Sequence, residues 1–214
     1  VMPVDGMAAS KTVEAGYRAE IDKDAETSVP GRYTVGLVSP AVTAELSATA
    51  HTGVHRYTFA PSVADPTLLV DLGHVMEDSE VRSAAISLDP TDGTFSGWMH
   101  YQGGMARAPF TVWFDGVVSP PPSEVGVWDE EGVLQPGVTA AEGEAVDLRL
   151  GGWMAFDADT VEVQVGISTV DADGAAANLA AQRVPDIDAA ADAAWQTWDE
   201  TLGAVEVAGG EEHD

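Results

Sequence analysis

Cysteine is absent from the 214 residues, which excludes a disulfide framework and any thiolate metal site. Positive charge is scarce: 9 Lys and Arg stand against 36 Asp and Glu, and only Lys11 and Lys23 are lysines. A formal charge of −27 repels a nucleic-acid backbone and an anionic membrane surface, so neither is expected as a partner. No apolar run approaches the roughly 20 residues that a bilayer span requires. The opening VMPVDGM lacks the charged and apolar regions of a secretory leader and reads as a strand entered midway, as in a piece of a longer protein. The acidity reads as a well-solvated surface in a salty or extracellular setting rather than as a cation-binding function.

What the chain does have is apolar material in short, alternating runs. Hydrophobic residues make up 45% and there are six tryptophans, enough for a sizeable core in one large β domain. Strands are expected at Arg32 to Val38, Val42 to Ala48, Val54 to Phe59, Ala84 to Leu88, Thr94 to Tyr101, Phe110 to Phe114, Val125 to Trp128, Ala145 to Leu150 and Val161 to Ile167. Leu68 to Leu72 is nearly continuous in apolar residues, as a strand buried on both faces would be. Turn signals fall between the runs at Asp92-Gly93, Gly103-Gly104, Pro120-Pro121-Pro122, Glu131-Gly132 and Gly151-Gly152. The expectation is a mainly β protein, a large antiparallel sandwich of two sheets.

The pattern changes near the end. Asp186 suits a helix cap, and Ile187, Ala191, Ala194, Trp198 and Leu202 recur at three- and four-residue steps up to Gly203. That stripe predicts a helix packed on the sandwich with Trp198 in the core and Trp195 on its flank. A shorter helix is expected over Asp173 to Gln182, and the tail from Ala208 to Asp214 is expected to fray. Residues 1–184 are therefore read as the sandwich and 185–214 as a connecting helix and tail.

Several residues invite a chemical reading. Glycoside hydrolysis needs two facing carboxyl groups, but no pair stands out among 36 acids, so no catalytic residue is assigned. His51 and His55 are about 13 Å apart if both lie on one strand, too far to share an ion. His55 reads instead as part of a half-buried face with Tyr57 and Phe59. Asp71 and His74 flank Gly73 at the end of the Leu68 strand, where loops commonly carry sites; a hydrogen bond to the loop backbone is the structural alternative. The pairs Asp22/Asp24, Asp157/Asp159, Asp171/Asp173 and Asp186/Asp188 read as caps and turns. The helix–loop–helix calcium pattern fails, because Ala180 stands where it needs Glu, and no metal ligand is assigned. Tryptophans can serve as sugar platforms. Trp98, beside Gly97, is the candidate, whereas Trp113 sits in an apolar run and reads as core.

The stretch AELSATAHTGVHRYTF from Ala44 to Phe59 is preceded by GRYTVGL and followed by LLVDLGHV and, much later, VQVGISTVDADGAAANLAAQ. In register from about Val1 to Gly210, these segments resemble the amino-terminal domain of glycoside hydrolase family 92, the calcium-dependent exo-acting α-mannosidases. The resemblance implies a galactose-mutarotase-like supersandwich whose helical segment leads into an (α/α)6 barrel beyond this chain. It also implies that the general acid and base belong to that barrel, that calcium serves the complete enzyme, and that α-mannoside glycans are hydrolysed with inversion by a secreted or cell-surface protein of bacterial type. The sandwich would support and partly cover the active site. The rivals are a free-standing carbohydrate-binding or adhesion sandwich and a structural module of an acidic surface protein.

Overall fold

A computed structural model describes residues 1–75, 79–103, 108–204 and 209. Apart from Gly209, the tail expected to fray lies outside these residues, as does Gly104 of the Gly103-Gly104 turn signal. Among the described residues, fourteen strands form in chain order: β1 Met2–Asp5, β2 Ile21–Val29, β3 Arg32–Leu37, β4 Val42–Ala48, β5 Thr52–Phe59, β6 Pro66–Asp71, β7 Ser79–Asp89, β8 Thr94–Gly103, β9 Phe110–Ser119, β10 Glu124–Trp128, β11 Leu134–Pro136, β12 Ala140–Glu144, β13 Gly151–Ala155 and β14 Thr160–Ser168. The helices are α1 Glu14–Tyr17, α2 Ala172–Gln182 and α3 Ile187–Leu202.

The strands make two sheets, as the alternating runs predict. One has nine strands in the order β12-β7-β8-β9-β14-β5-β4-β3-β2, and the other has five in the order β1-β6-β13-β10-β11. Period-two alternation turns one face of the nine-stranded sheet inward. Ala84, Ile86, Leu88, Phe95, Phe114, Val118, Val161 and Val163 meet Leu68, Val70, Val125, Val127 and Met154 of the other sheet in the main core. The far face of the five-stranded sheet has its own cluster of Val4, Leu69, Trp128, Trp153 and Ala155. Strand β6 thus buries Leu68 on one side and Leu69 on the other, which accounts for its unbroken apolar run.

Four strands, β2, β11, β12 and β13, depart from the sequence expectation. Ala145 to Leu150 is not a strand; the chain pairs one step later, in β13, whose Gly151-Gly152 reads as a turn in sequence. A Cβ on Gly151 would lie 2.2 Å from the Trp128 ring and 2.2 Å from the Val70 carbonyl, so glycine here admits close packing at the centre of a sheet. The two edge strands, β2 (IDKDAETSV) and β12 (AAEGE), have little apolar signal to announce them. They form by pairing with β3 and β7, and their charges guard the sheet's edges against further pairing.

The two longer helices, α2 and α3, lie on the outer face of the nine-stranded sheet. Asp171 caps α2 by accepting from the Gly174 N–H at 2.7 Å. The helix rests on bare backbone at Gly166, where a Cβ would come within 2.6 Å of the Ala175 carbonyl. Asp186 caps α3 through the Ala189 N–H at 2.8 Å, and Gly203 follows the last turn, as expected. Ile187, Ala190 and Ala191 are buried, Ile187 and Ala190 packing with Val54.

The predicted stripe, however, does not continue into the core. Trp198 is 54% exposed and Leu202 65%, much like Trp195 at 51%. The helix crosses the β2–β3 turn at Gly31, where a Cβ would meet the Ala191 carbonyl at 2.5 Å, and the residues it buries all lie at or before Ala191. An ionic knot fastens the supported half instead. Arg56 reaches Glu45 at 2.6 Å and Asp188 at 2.9 Å, while Arg32 pairs with Glu45 at 3.2 Å and also with Asp188.

Candidate functional site

Of the three residues singled out from sequence, Asp71 and His74 come together and Trp98 lies on the other sheet. Strand β6 ends at Asp71, and Gly73 lets the chain turn back so that its N–H donates to Asp71 Oδ1 at 2.9 Å. Helix α1 then brings two residues that nothing near Asp71 in sequence announces. Tyr17 Oη donates to Asp71 Oδ2 at 3.0 Å and lies 3.2 Å from His74 Nδ1. The single phenolic proton goes to Asp71, so the contact with His74 requires the imidazole proton on Nδ1. Glu14 Oε2 stands 3.9 Å from the same nitrogen.

Burial shapes the electrostatics of this cluster. It pushes the Asp71 carboxyl above its ordinary value, and the hydrogen bonds from Tyr17 and Gly73 oppose that rise. Burial also raises the Tyr17 phenol, with the Asp71 charge adding to the effect. The adjacent cleft of about 250 Å³ is lined by Glu14, His74, Glu80, Asp147 and Arg149 among others. Asp147 adopts a left-handed backbone conformation there (φ 57°), and Arg149 Nη2 donates to Thr12 Oγ1 at 2.5 Å.

Asp71 therefore receives hydrogen bonds on both oxygens and has no proton to lend. The Asp71 carboxylate is thus committed within the cluster, while Glu14, Glu80 and Asp147 line the cleft beside it. The chemistry of the cluster is that of a clasp, which holds α1 against the end of β6.

Trp98 and Trp113 stand directly opposite each other on β8 and β9, and both are half-buried. Trp113 is not in the core. Its neighbour Phe114 takes the inward position, so alternation turns Trp113 outward beside Trp98. Elsewhere, His51 meets Gln182, whose side chain accepts from the His51 N–H at 2.7 Å and lies 2.9 Å from Nδ1. His55 Nδ1 lies 3.0 Å from Tyr57 Oη on the inner side of β5. Three of the four Asp pairs include a first aspartate that accepts from a nearby backbone N–H, as at Asp22, Asp171 and Asp186.

Comparison with known proteins gives a consistent result. Residues 1–168 match the family described as the glycosyl hydrolase family 92 N-terminal domain. A family GH92 inverting mannosidase from Bacteroides thetaiotaomicron VPI-5482 superposes with a TM-score of 0.83 at 21% identity, over 98% of this chain and 27% of that one. The GH92 family glycosyl hydrolase ccman5 superposes with a TM-score of 0.83 at 27% identity, over 98% of this chain and 28% of that one. A GH92 α-mannosidase from Bacteroides thetaiotaomicron, solved in complex with mannoimidazole, gives 0.82 at 20%, over 98% and 28%. No curated protein matches. The chain spans less than a third of the length of these solved relatives, 27% of the first.

Proposed function

We propose that this chain, which belongs to the glycosyl hydrolase family 92 N-terminal domain family, is the supporting front part of an exo-acting α-mannosidase whose catalytic region lies outside it. One observation carries the reading: the fold accounts for 98% of this chain but only 27% of a GH92 mannosidase of known structure. The complete protein would hydrolyse terminal α-mannosides of glycans with inversion, using two carboxyl groups supplied by a following (α/α)6 barrel. The sandwich would hold that barrel and cover part of its mouth. The exposed end of α3, with Trp195, Trp198 and Leu202, is the surface it has available for such a contact.

Calcium is proposed for the complete enzyme from the family resemblance alone. Among the described residues no three carboxylates or imidazoles gather in a way that would hold a metal ion. The same resemblance assigns the calcium ligands to the rest of the protein, and no step is routed through the ion here. A secreted or cell-surface location suits the charge of −27; no helix among the described residues is long and apolar enough to cross a membrane.

The test is to express the chain joined to its natural continuation and follow hydrolysis of α-mannosides by NMR. The expected first product is β-mannose, with activity lost to a chelator and restored by calcium. Failure to cleave any α-mannoside would overturn the assignment, and α-mannose as first product would overturn inversion.

A further inference from the structure

On the outer face of the nine-stranded sheet, strand register lays out a cleft that the proposed role does not use. One row across four strands reads Glu142, Ala85, Trp98, Trp113, and the next reads Ala140, Ser87, Ser96, Asp115. The small side chains in the middle hollow the floor, while the indoles and the carboxylates stand at its margins. The first turns of α2 form a wall with Asp173 and Ala176, held close because the helix rests on Gly166. The cavity measures about 600 Å³, within the roughly 300–1,000 Å³ typical of small-ligand sites.

The chemistry of the lining narrows the ligand. Two half-exposed indoles side by side offer an apolar platform with polar edges. Asp115, Glu142 and Asp173 repel an anion. They do not converge on one centre, since no group of three acids among the described residues could hold a metal ion. Acceptors dispersed around an apolar platform match a neutral ring with an apolar face and hydroxyl donors along its rim. Asp115 is well suited to such a donor: burial alone raises its pKa, with no cation beside it among the described residues.

We propose that the Trp98–Trp113 cleft binds a hexopyranose unit of a glycan, as a sugar-binding site separate from the Asp71 cluster. The sugar's apolar face stacks on the indoles, and its hydroxyls donate to Asp115 and Glu142. The step is binding only. Mannose is chosen as first probe because of the proposed function, but the cleft's geometry stands without that reading.

The experiment titrates the 214-residue chain with methyl α-D-mannopyranoside, methyl β-D-glucopyranoside and choline chloride, following the indole Nε1–H signals by NMR. Saturable shifts of the Trp98 and Trp113 signals with a pyranoside are expected. Glu142→Gln, a change at an exposed position, should weaken binding about tenfold, or about 1.4 kcal/mol. Ala176→Trp, also at an exposed position, should abolish binding by filling the cleft without touching the core. Binding of the glucoside alone would support the site while counting against a role in mannoside processing. Three results would overturn the proposal: no saturable shift with either pyranoside, shifts with choline only, or shifts that survive Ala176→Trp.

Discussion

The two faces of the nine-stranded sheet are made by the same strands, one residue out of step. Inward, Ile86, Leu88, Phe95, Phe114 and Val163 are close-packed against the second sheet. Outward, the alternate positions carry Ser87, Ser96, Trp98, Trp113 and Asp115, then Arg56 and Glu162 further along the sheet. The inner face needs only apolar volume and good fit, and its contribution to stability is general. The outer face specifies where things attach: α2 on Gly166, α3 through the ionic knot, and the tryptophan cleft between β12 and α2. A one-residue slip of register would exchange the two, so every outward feature depends on the inward packing that fixes the pairing.

Neighbouring residues on β8 break the comparison most sharply. Phe95→Ala, which removes a ring only 2% exposed, should cost about 3–5 kcal/mol. Ser96→Ala, one residue on but facing outward, should stay within about 0.5 kcal/mol. Urea unfolding of the two variants measures both, and equal costs would show that the faces are not distinct.

On the outer face itself, the two halves of α3 should differ by less. Arg56→Met leaves Glu45, 15% exposed, without its closest cation. The expected loss is about 1–3 kcal/mol, below the cost for a fully buried pair because Asp188 is half in solvent. Trp198→Ala removes a side chain 54% exposed and should cost less than about 1 kcal/mol in this chain. A loss of 3 kcal/mol or more for Trp198→Ala would show that the helix docks along its whole length.

The margin of the inner face adds an effect that depends on pH. Burial holds the His55 imidazole down to about 4, against 6.5 for the free side chain. Between those values the unfolded chain takes up a proton that the folded state refuses. Stability from this group is therefore complete above pH 6.5 and is lost as pH falls through about 4. Compared with His55→Gln, which does not titrate, the wild type should lose on the order of 3 kcal/mol across that window. Parallel stability curves for the two proteins would place His55 in contact with water.

Much of the sandwich was legible because alternation is a local signal. Strands such as β4 and β14 needed nothing beyond their own residues. The edge strands β2 and β12 were not, since pairing and not apolar content makes them strands. Likewise Asp71 and His74 could be paired in sequence across Gly73, but Tyr17 precedes Asp71 by 54 residues and only the fold of the N-terminal segment brings it there. Periodicity placed Ile187 and Ala191 of α3 correctly, missed Ala190 and misjudged Trp198 and Leu202, because a stripe shows which face turns inward and not how much of the helix stays packed. Trp113 was misplaced by its apolar neighbours, although the inward position of Phe114 assigns it to the outer face.

The most direct measurement is an assay of the 214-residue chain on its own for mannose release from α-mannosides, with calcium present. On the proposal that both catalytic carboxyl groups belong to the barrel, no release above the uncatalysed rate is expected. Calcium-dependent release of mannose by the purified chain would place catalysis within these two sheets and contradict the proposed role as the supporting domain of a larger enzyme.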